Sequence, residues 1–283
     1  KIYKRPVTRA LSIACTVCPV SNRVLFRFTR SGISSKDFKT QEPACMTIIT
    51  WNCNMAFRKK AAAVLKYSPD ILVIQECEQP DKLNDIFGEA APTSSLWFGE
   101  NPHKGLGIFS FNGFRLTTHK THNRELKIIA PLSVRKNEIK FTLFAIWAHN
   151  PGDPDGQYIT QVWKALQQYR RLIRKTGTIL IGDFNSNTIW DKPRREGNHS
   201  TVVSILQQKG IESLYHTKFS QRQGSEEHPT LYLYRHQDKP YHIDYCFASA
   251  DLIDQLHSIE IGRFEEWNKL SDHTPLIVKF NSF

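Results

Sequence analysis

The sequence predicts an α/β sandwich, two β-sheets packed face to face with helices outside. Two observations predict it. From Met46 onward, short apolar runs of strand length recur, and only a few segments between them have helical spacing. No repeat of fixed period and no low-complexity linker interrupts this pattern, so one domain is expected over residues 46–283.

The elements follow in order. Residues 47–53 read as a strand, and 57–67 as a helix with Pro69 just beyond it. Residues 70–76 (DILVIQE) form a buried-type strand, and 96–99, 105–111 and 128–134 are further strands. Residues 139–149 are a long, aromatic-rich strand. Over 157–173, Ile159, Val162, Trp163, Leu166, Tyr169, Leu172 and Ile173 fall at helical spacing. Residues 178–184 (TILIGDF) read as a strand and 200–208 as a helix stopped at Gly210. Strands at 230–234, 242–248, 258–264 and 275–280 complete the pattern.

Composition limits the function classes. No apolar run reaches the ~18–20 residues of a membrane span. The net charge of +11 is uneven: residues 1–45 hold nine Lys/Arg against Asp37 and Glu42, a net +7, which leaves +4 for residues 46–283. A nucleic-acid partner therefore cannot be inferred from total charge. Residues 1–45 have no clean period and are expected to be a poorly ordered basic extension upstream of Met46, with a targeting segment as the other reading. Cys53, Cys77 and Cys246 sit in or beside apolar strands and do not form a spaced disulfide framework, so a reducing, cytoplasmic location is expected. Cys15 and Cys18 have no second pair to complete a zinc site. A monomer is expected.

Polar residues interrupt the strand pattern at its ends. Asn52 and Asn54 follow the first strand, and Glu76 ends the second. His149 and Asn150 end the aromatic strand, while Asp183 and Asn185 follow TILIG. His242 and Asp244 open HIDYCFA, and Asp272 and His273 precede PLIVKF. Each alone reads equally as a solvated side chain or a turn. Six strand ends converging on one cleft would offer oxygen ligands to a hard cation and leave amides and imidazoles to hold a phosphate. No Gly-x-x-x-x-Gly-Lys loop is present to bind a nucleotide in that way.

In order and rough spacing, Trp51-Asn52-Cys53-Asn54, Gln75-Glu76, Gly182-Asp183-Phe184-Asn185, Ile243-Asp244-Tyr245 and Ser271-Asp272-His273 resemble the motifs of the endonuclease/exonuclease/phosphatase family. The resemblance covers residues 46–283. It implies a four-layer α/β sandwich, two packed mixed sheets flanked by helices, hydrolysing phosphoester bonds with Mg²⁺ or Mn²⁺. It implies Glu76 as the main metal ligand, helped by Asn52 and Asp272. Asp183 would activate the attacking water, Asn185 would hold a phosphate oxygen, and His273, positioned by Asp244, would stabilise charge on the phosphoryl group. His149 would assist the leaving group or transition state. His242, where nuclease branches often have arginine, and Asn54, which could serve as a supporting amide, depart from the usual pattern.

The motifs resemble the nuclease side of the family, and the tryptophan-cysteine-aspartate-arginine signature of the inositol-phosphate phosphatases is missing. Nucleic acid is therefore the expected substrate. Asn187, Trp190, Lys192, Arg194 and Arg195, in the loop after Asn185, together with His242, are expected to contact it. Lys104, Arg235 and His236 are weaker candidates for the same cleft. A phosphomonoesterase and a non-catalytic nucleic-acid-binding module are the competing readings.

Overall fold

The computed structural model describes residues 45–83, 86–88, 91–126, 128–149 and 158–281. The basic extension, apart from Cys45, and Asn150 lie outside them.

In chain order the elements are β1 (Met46–Asn52), α1 (Ala62–Leu65), β2 (Ile71–Cys77), β3 (Ser94–Asn101), β4 (Lys104–Ser110), β5 (Arg115–Thr118), β6 (Ile129–Lys136), β7 (Ile139–Trp147) and α2 (Ile159–Gln168). They continue with β8 (Thr178–Asp183), α3 (His199–Gln208), β9 (Ile211–Ser213), α4 (Leu214–Phe219), β10 (Leu231–Tyr232), β11 (Pro240–Tyr241), β12 (Asp244–Ser249), α5 (Ala250–Ile253), β13 (Leu256–Ile261), α6 (Phe264–Trp267) and β14 (Leu276–Phe280). Twelve of the strands form two six-stranded sheets, ordered β13-β14-β1-β2-β4-β3 and β5-β6-β7-β8-β12-β9. Both sheets are mixed, because β1 runs parallel to β2 and β7 parallel to β8 while the other pairs are antiparallel.

Strand alternation divides the apolar residues into three cores. Ile48, Ile71, Val73 and Ile108 of the first sheet meet Leu143, Ala145, Ile179, Ile181 and Cys246 of the second in the central core. Leu72, Ile74 and Trp51 point the other way, toward Phe57, Val64 and Trp267. Phe144, Leu180 and Phe247 face α2 and α3. The expected helix–sheet–sheet–helix sandwich is the one observed.

The differences are local. The helix expected over 57–67 is split, because Lys60 leaves the helical region and turns its Nζ onto the Cys53 and Asn54 carbonyls at 2.7 and 3.2 Å. The strand expected over 230–234 stops at Tyr232, and Tyr234 is left-handed at φ 56°. The strand expected over 258–264 ends at Ile261. The chain then turns into α6, which buries Trp267 edge-on against Trp51, with ring centroids 5.1 Å apart. Among the described residues, no helix is long and apolar enough to cross a membrane.

Candidate active site

The central-core row of three strands ends in a polar residue. In β1 the row Ile48, Thr50 ends at Asn52; in β8 the row Ile179, Ile181 ends at Asp183; β12 begins its row at Asp244 before Cys246 and Ala248. In the antiparallel β8–β12 pair, Asp183 and Asp244 are direct partners. The two carboxylates are thus brought face to face at one end of the sandwich by registers that apolar burial sets elsewhere. Gly182 makes this possible: at φ +147°, a Cβ there would lie 1.9 Å from the Ile146 carbonyl oxygen.

Asp183 is fully buried. Its carboxylate accepts from Asn52 Nδ2 at 3.1 Å, from the Asn185 backbone N–H at 2.8 Å and from Asn185 Nδ2 at 3.4 Å. Burial and the Asp244 charge push its carboxyl up to about 7, against the smaller opposing effects of His273 and these donors. His273 is held from both sides. Its Nδ1 pairs with Asp244 Oδ2 at 2.9 Å, its backbone N–H donates to Ser271 Oγ at 3.1 Å, and its carbonyl accepts from Trp51 Nε1 at 3.0 Å. Burial opposes the imidazolium, but the charge and hydrogen bond of Asp244, reinforced by Asp183 and Asp272, raise it to about 10. Ligand atoms of Asp183, Asp244 and His273 all lie within 4.8 Å of one another.

A second group stands at the mouth. Glu76 has φ 58° at a bulge between Gln75 and Cys77, which turns its carboxylate out of the strand. Lys104 Nζ lies 3.2 Å from Glu76 Oε1 and 5.7 Å from the Trp147 ring centre, and His149 stacks on Trp147 at 4.6 Å. Burial, then the Lys104 charge, lower the His149 pKa. Asp272 Oδ1 accepts from Asn54 Nδ2 at 2.9 Å, tying the loop after β1 to the segment before β14.

The family model for the endonuclease/exonuclease/phosphatase family matches residues 49–273. The chain belongs to that family. Enzymes of this family hydrolyse phosphoester bonds and depend on a divalent metal. No curated protein sequence matches the chain. Three solved structures share the family fold. An AP endonuclease from Archaeoglobus fulgidus is 16% identical with a TM-score of 0.62, covering 84% of this chain and 100% of its own. The endonuclease domain of TRAS1, a telomere-specific non-LTR retrotransposon, is 16% identical with a TM-score of 0.60, covering 84% and 99%. The 3′ phosphatase NExo from Neisseria, bound to product DNA hairpin, is 16% identical with a TM-score of 0.59, covering 84% and 100%.

The donor set suits the family's metal. The oxygens are hard donors, Glu76 already holds a cationic ammonium, and buried Asp244 Oδ1 has no hydrogen-bond partner. Two buried carboxylates against one imidazolium leave negative charge that a cation would offset.

Of the loop expected to contact substrate, Trp190, Lys192 and Arg195 line a cleft of about 570 Å³ together with Asn185, Tyr241 and Ile243, so they adjoin the Asp183 cluster. Trp190 and Tyr241 pack 5.0 Å apart within it. Arg194 is exposed and is not among the residues lining this cleft. Arg235 binds the Asn268 and Lys269 carbonyls, and His236 is exposed near Asp238. Two residues expected at the substrate surface are interior. Asn187 donates to Glu226, the His242 carbonyl and Tyr245 OH. His242 is 3% exposed, pairs through Nδ1 with the His228 carbonyl at 2.7 Å and packs on Tyr215. The sequence assigned no role to Ser271, Thr230 and Gln75, which hold the site from behind. Thr230 Oγ1 accepts from the Ile243 and Asp244 backbone N–H groups, and Gln75 Nε2 donates to Thr50 Oγ1 and the Ile146 carbonyl. A neutral side chain such as Thr230 gives no signal in one sequence, whereas Gln75 and Ser271 stood within Gln-Glu and Ser-Asp-His.

Proposed function

We propose that the chain is a divalent-metal-dependent phosphodiesterase, and specifically a nuclease, with its catalytic domain over residues 46–283. The observation that supports this most is the buried Asp183 carboxylate, held by Asn52 and Asn185 and facing the His273–Asp244 pair. A base whose pKa lies near neutrality abstracts a proton most effectively at neutral pH, typically worth about 10²–10⁴-fold. In this reading Asp183 takes a proton from water as the water oxygen bonds to phosphorus and the P–O bond to the leaving group breaks. His273 is cationic and donates through Nε2 to a non-bridging oxygen, while Asp244 fixes its tautomer. Asn185 orients the phosphate and His149 assists the leaving oxygen. Mg²⁺ or Mn²⁺, held by Glu76 with Asn52 and Asp272, would neutralise charge on the phosphate oxygens.

The Trp190–Tyr241 pair and the cations beside Asn185 favour a nucleic-acid strand over a small monoester, since a base can stack there while its phosphate reaches Asp183. The test is Mg²⁺- and Mn²⁺-dependent hydrolysis of bis-p-nitrophenyl phosphate, plasmid DNA and p-nitrophenyl phosphate, with Asp183→Ala as the control. Diester or plasmid cleavage lost in the variant supports the reading. Turnover of the monoester alone replaces it with a phosphomonoesterase, a reading favoured by the likeness to a 3′ phosphatase. A variant keeping more than about a tenth of wild-type turnover removes Asp183 as the base.

A further inference from the structure

Far from the site, the outer face of the second sheet is only half covered. On that face, Phe144 and Ile146 of β7 and Ala148 just beyond it lie under α2. Beyond the end of α2 the same face turns polar. Thr117, Ser133 and Thr142 are in register across β5, β6 and β7, and Arg115, Arg135 and Lys140 form the next row out. All three cations are exposed, and among the described residues none of them forms an ion pair. Like charges directly opposite each other on neighbouring strands destabilise a sheet, so the row has a cost and no internal compensation.

Two adjoining clefts, of about 970 and 760 Å³, run along this face and share His119, Lys120, Leu172 and Arg174. Seven Lys/Arg line them, among them Arg170, Arg171 and Arg174 just past α2. Asp251 is their one lining carboxylate among the described residues. It is already engaged, accepting from the Gly177 backbone N–H at 2.9 Å and from Ser249 Oγ at 2.6 Å. The clefts thus hold a net +6, more than the +4 of residues 46–283, and the rest of that region is net −2. The folded region is not mildly basic throughout. Its net positive charge is accounted for by the side chains lining these clefts.

We propose that this face is a second nucleic-acid-binding surface, which grips a phosphate backbone away from the scissile bond. The cation row lies seven residues of β7 before Trp147, the partner of Asp183 in the sheet. At roughly 3.3 Å per residue that is about 23 Å along the strand, with the row on the outer face and Asp183 on the face toward the central core. Arginines match phosphate oxygens with paired donors, and the hydroxyl row beneath adds neutral ones. A membrane surface fits less well. Among the described residues, the exposed large apolar side chains are Met55, Tyr158, Ile189, Trp190 and Tyr234, none of which lines these clefts.

The test is fluorescence anisotropy of a labelled 20-base-pair DNA duplex titrated with the full chain in EDTA, so that binding is read without cleavage. Arg135→Glu/Lys140→Glu should weaken binding at least tenfold and flatten the slope of log affinity against log salt by about 1–2, since each phosphate contact accounts for about 0.9. Lys218→Glu/Lys279→Glu, on other surfaces, should change affinity less than threefold. Arg135→Gln/Lys140→Gln guards against a folding artefact: it should melt at or above the wild-type temperature and still bind more weakly. Unchanged affinity and slope in both patch variants overturns the inference. So does equal weakening by the control pair, or binding to phosphatidylserine vesicles with none to duplex. Hydrolysis of bis-p-nitrophenyl phosphate should be unaffected by the patch variants. A chain that binds duplex through this face but releases phosphate only from monoesters keeps this inference and loses the nuclease reading.

Discussion

Replacing Gly182 by alanine places a methyl group 1.9 Å from the Ile146 carbonyl oxygen and 2.7 Å from its carbon. Ordinary carbon contacts begin near 3.4 Å, so β7 must retreat by about 1.5 Å at this point. The Ile146 carbonyl also accepts from buried Gln75 Nε2 at 3.0 Å, so its retreat leaves that amide short of a partner. A buried donor without a partner costs about 1–3 kcal/mol, and a positive φ at a non-glycine residue adds about 1–2. The expected loss is therefore about 2–5 kcal/mol, roughly 10 °C in Tm for a chain of this size. Asp183 is the next residue, and a displacement near 1 Å can lower turnover by about 10². Gly113→Ala separates the two causes: Gly113 has φ +83°, and a Cβ added there would meet nothing within 4 Å, so only the backbone cost applies, about 1–2 kcal/mol. Urea unfolding and diester hydrolysis of both variants are the assays. Equal destabilisation of the two, or a Gly182→Ala protein that melts within about 2 °C of wild type, would refute the steric reasoning.

Three further outcomes are expected. Because Asp244 helps raise His273 to about 10, the imidazolium persists to high pH; in Asp244→Asn the alkaline limb of the kcat/KM profile should move down by at least one pH unit, and an unmoved limb would disconnect the pair from turnover. In Glu76→Gln the Mg²⁺ concentration for half-maximal activity should rise at least tenfold, and an unchanged titration would take Glu76 out of the ligand set. Burial holds His199 and His242 down to about 4. Their share of stability is therefore present above about 6.5 and lost as pH falls toward 4, and both should be neutral at pH 5 by imidazole NMR; titration near 6.5 would show that they are not sealed in the core.

The sandwich was legible because both sheets take their strands from short apolar runs with sharp polar ends, such as TILIGD. The convergence of Asn52, Asp183 and Asp244 was legible for the same reason, since each sits where a buried row stops, and His273 stands just before the last apolar run. What the sequence hides is whatever depends on a partner strand. The bulge that turns Glu76 outward exists only because Gln75 pairs with Leu106 and Cys77 with Gly105, leaving Glu76 between them. The short strands β9, β10 and β11 have too few residues to show a period. His242 stands one step from Ile243-Asp244, which invites a role at the surface. The ring is instead drawn inward by neighbouring Tyr245 and by Tyr215 and the His228 carbonyl, which lie 27 and 14 residues earlier in the chain. The basic face was hidden by arithmetic, since its +6 is diluted in a region total of +4.

An amide at position 52 follows from the electrostatics of the two buried carboxylates. Asn52 is 3% exposed and works in both directions: Nδ2 donates to Asp183 Oδ2, and Oδ1 accepts from the Asn54 backbone N–H at 3.1 Å. A carboxylate at this position would keep the second bond and lose the first. It would also put a third negative charge beside Asp183, whose carboxyl is already pushed up to about 7 by burial and by Asp244, and so favour the protonated acid that cannot act as a base. A leucine of similar size would keep the volume and leave Asp183 Oδ2 with only the weaker 3.4 Å contact from Asn185. The amide is the side chain that satisfies the acid without charging the pocket further.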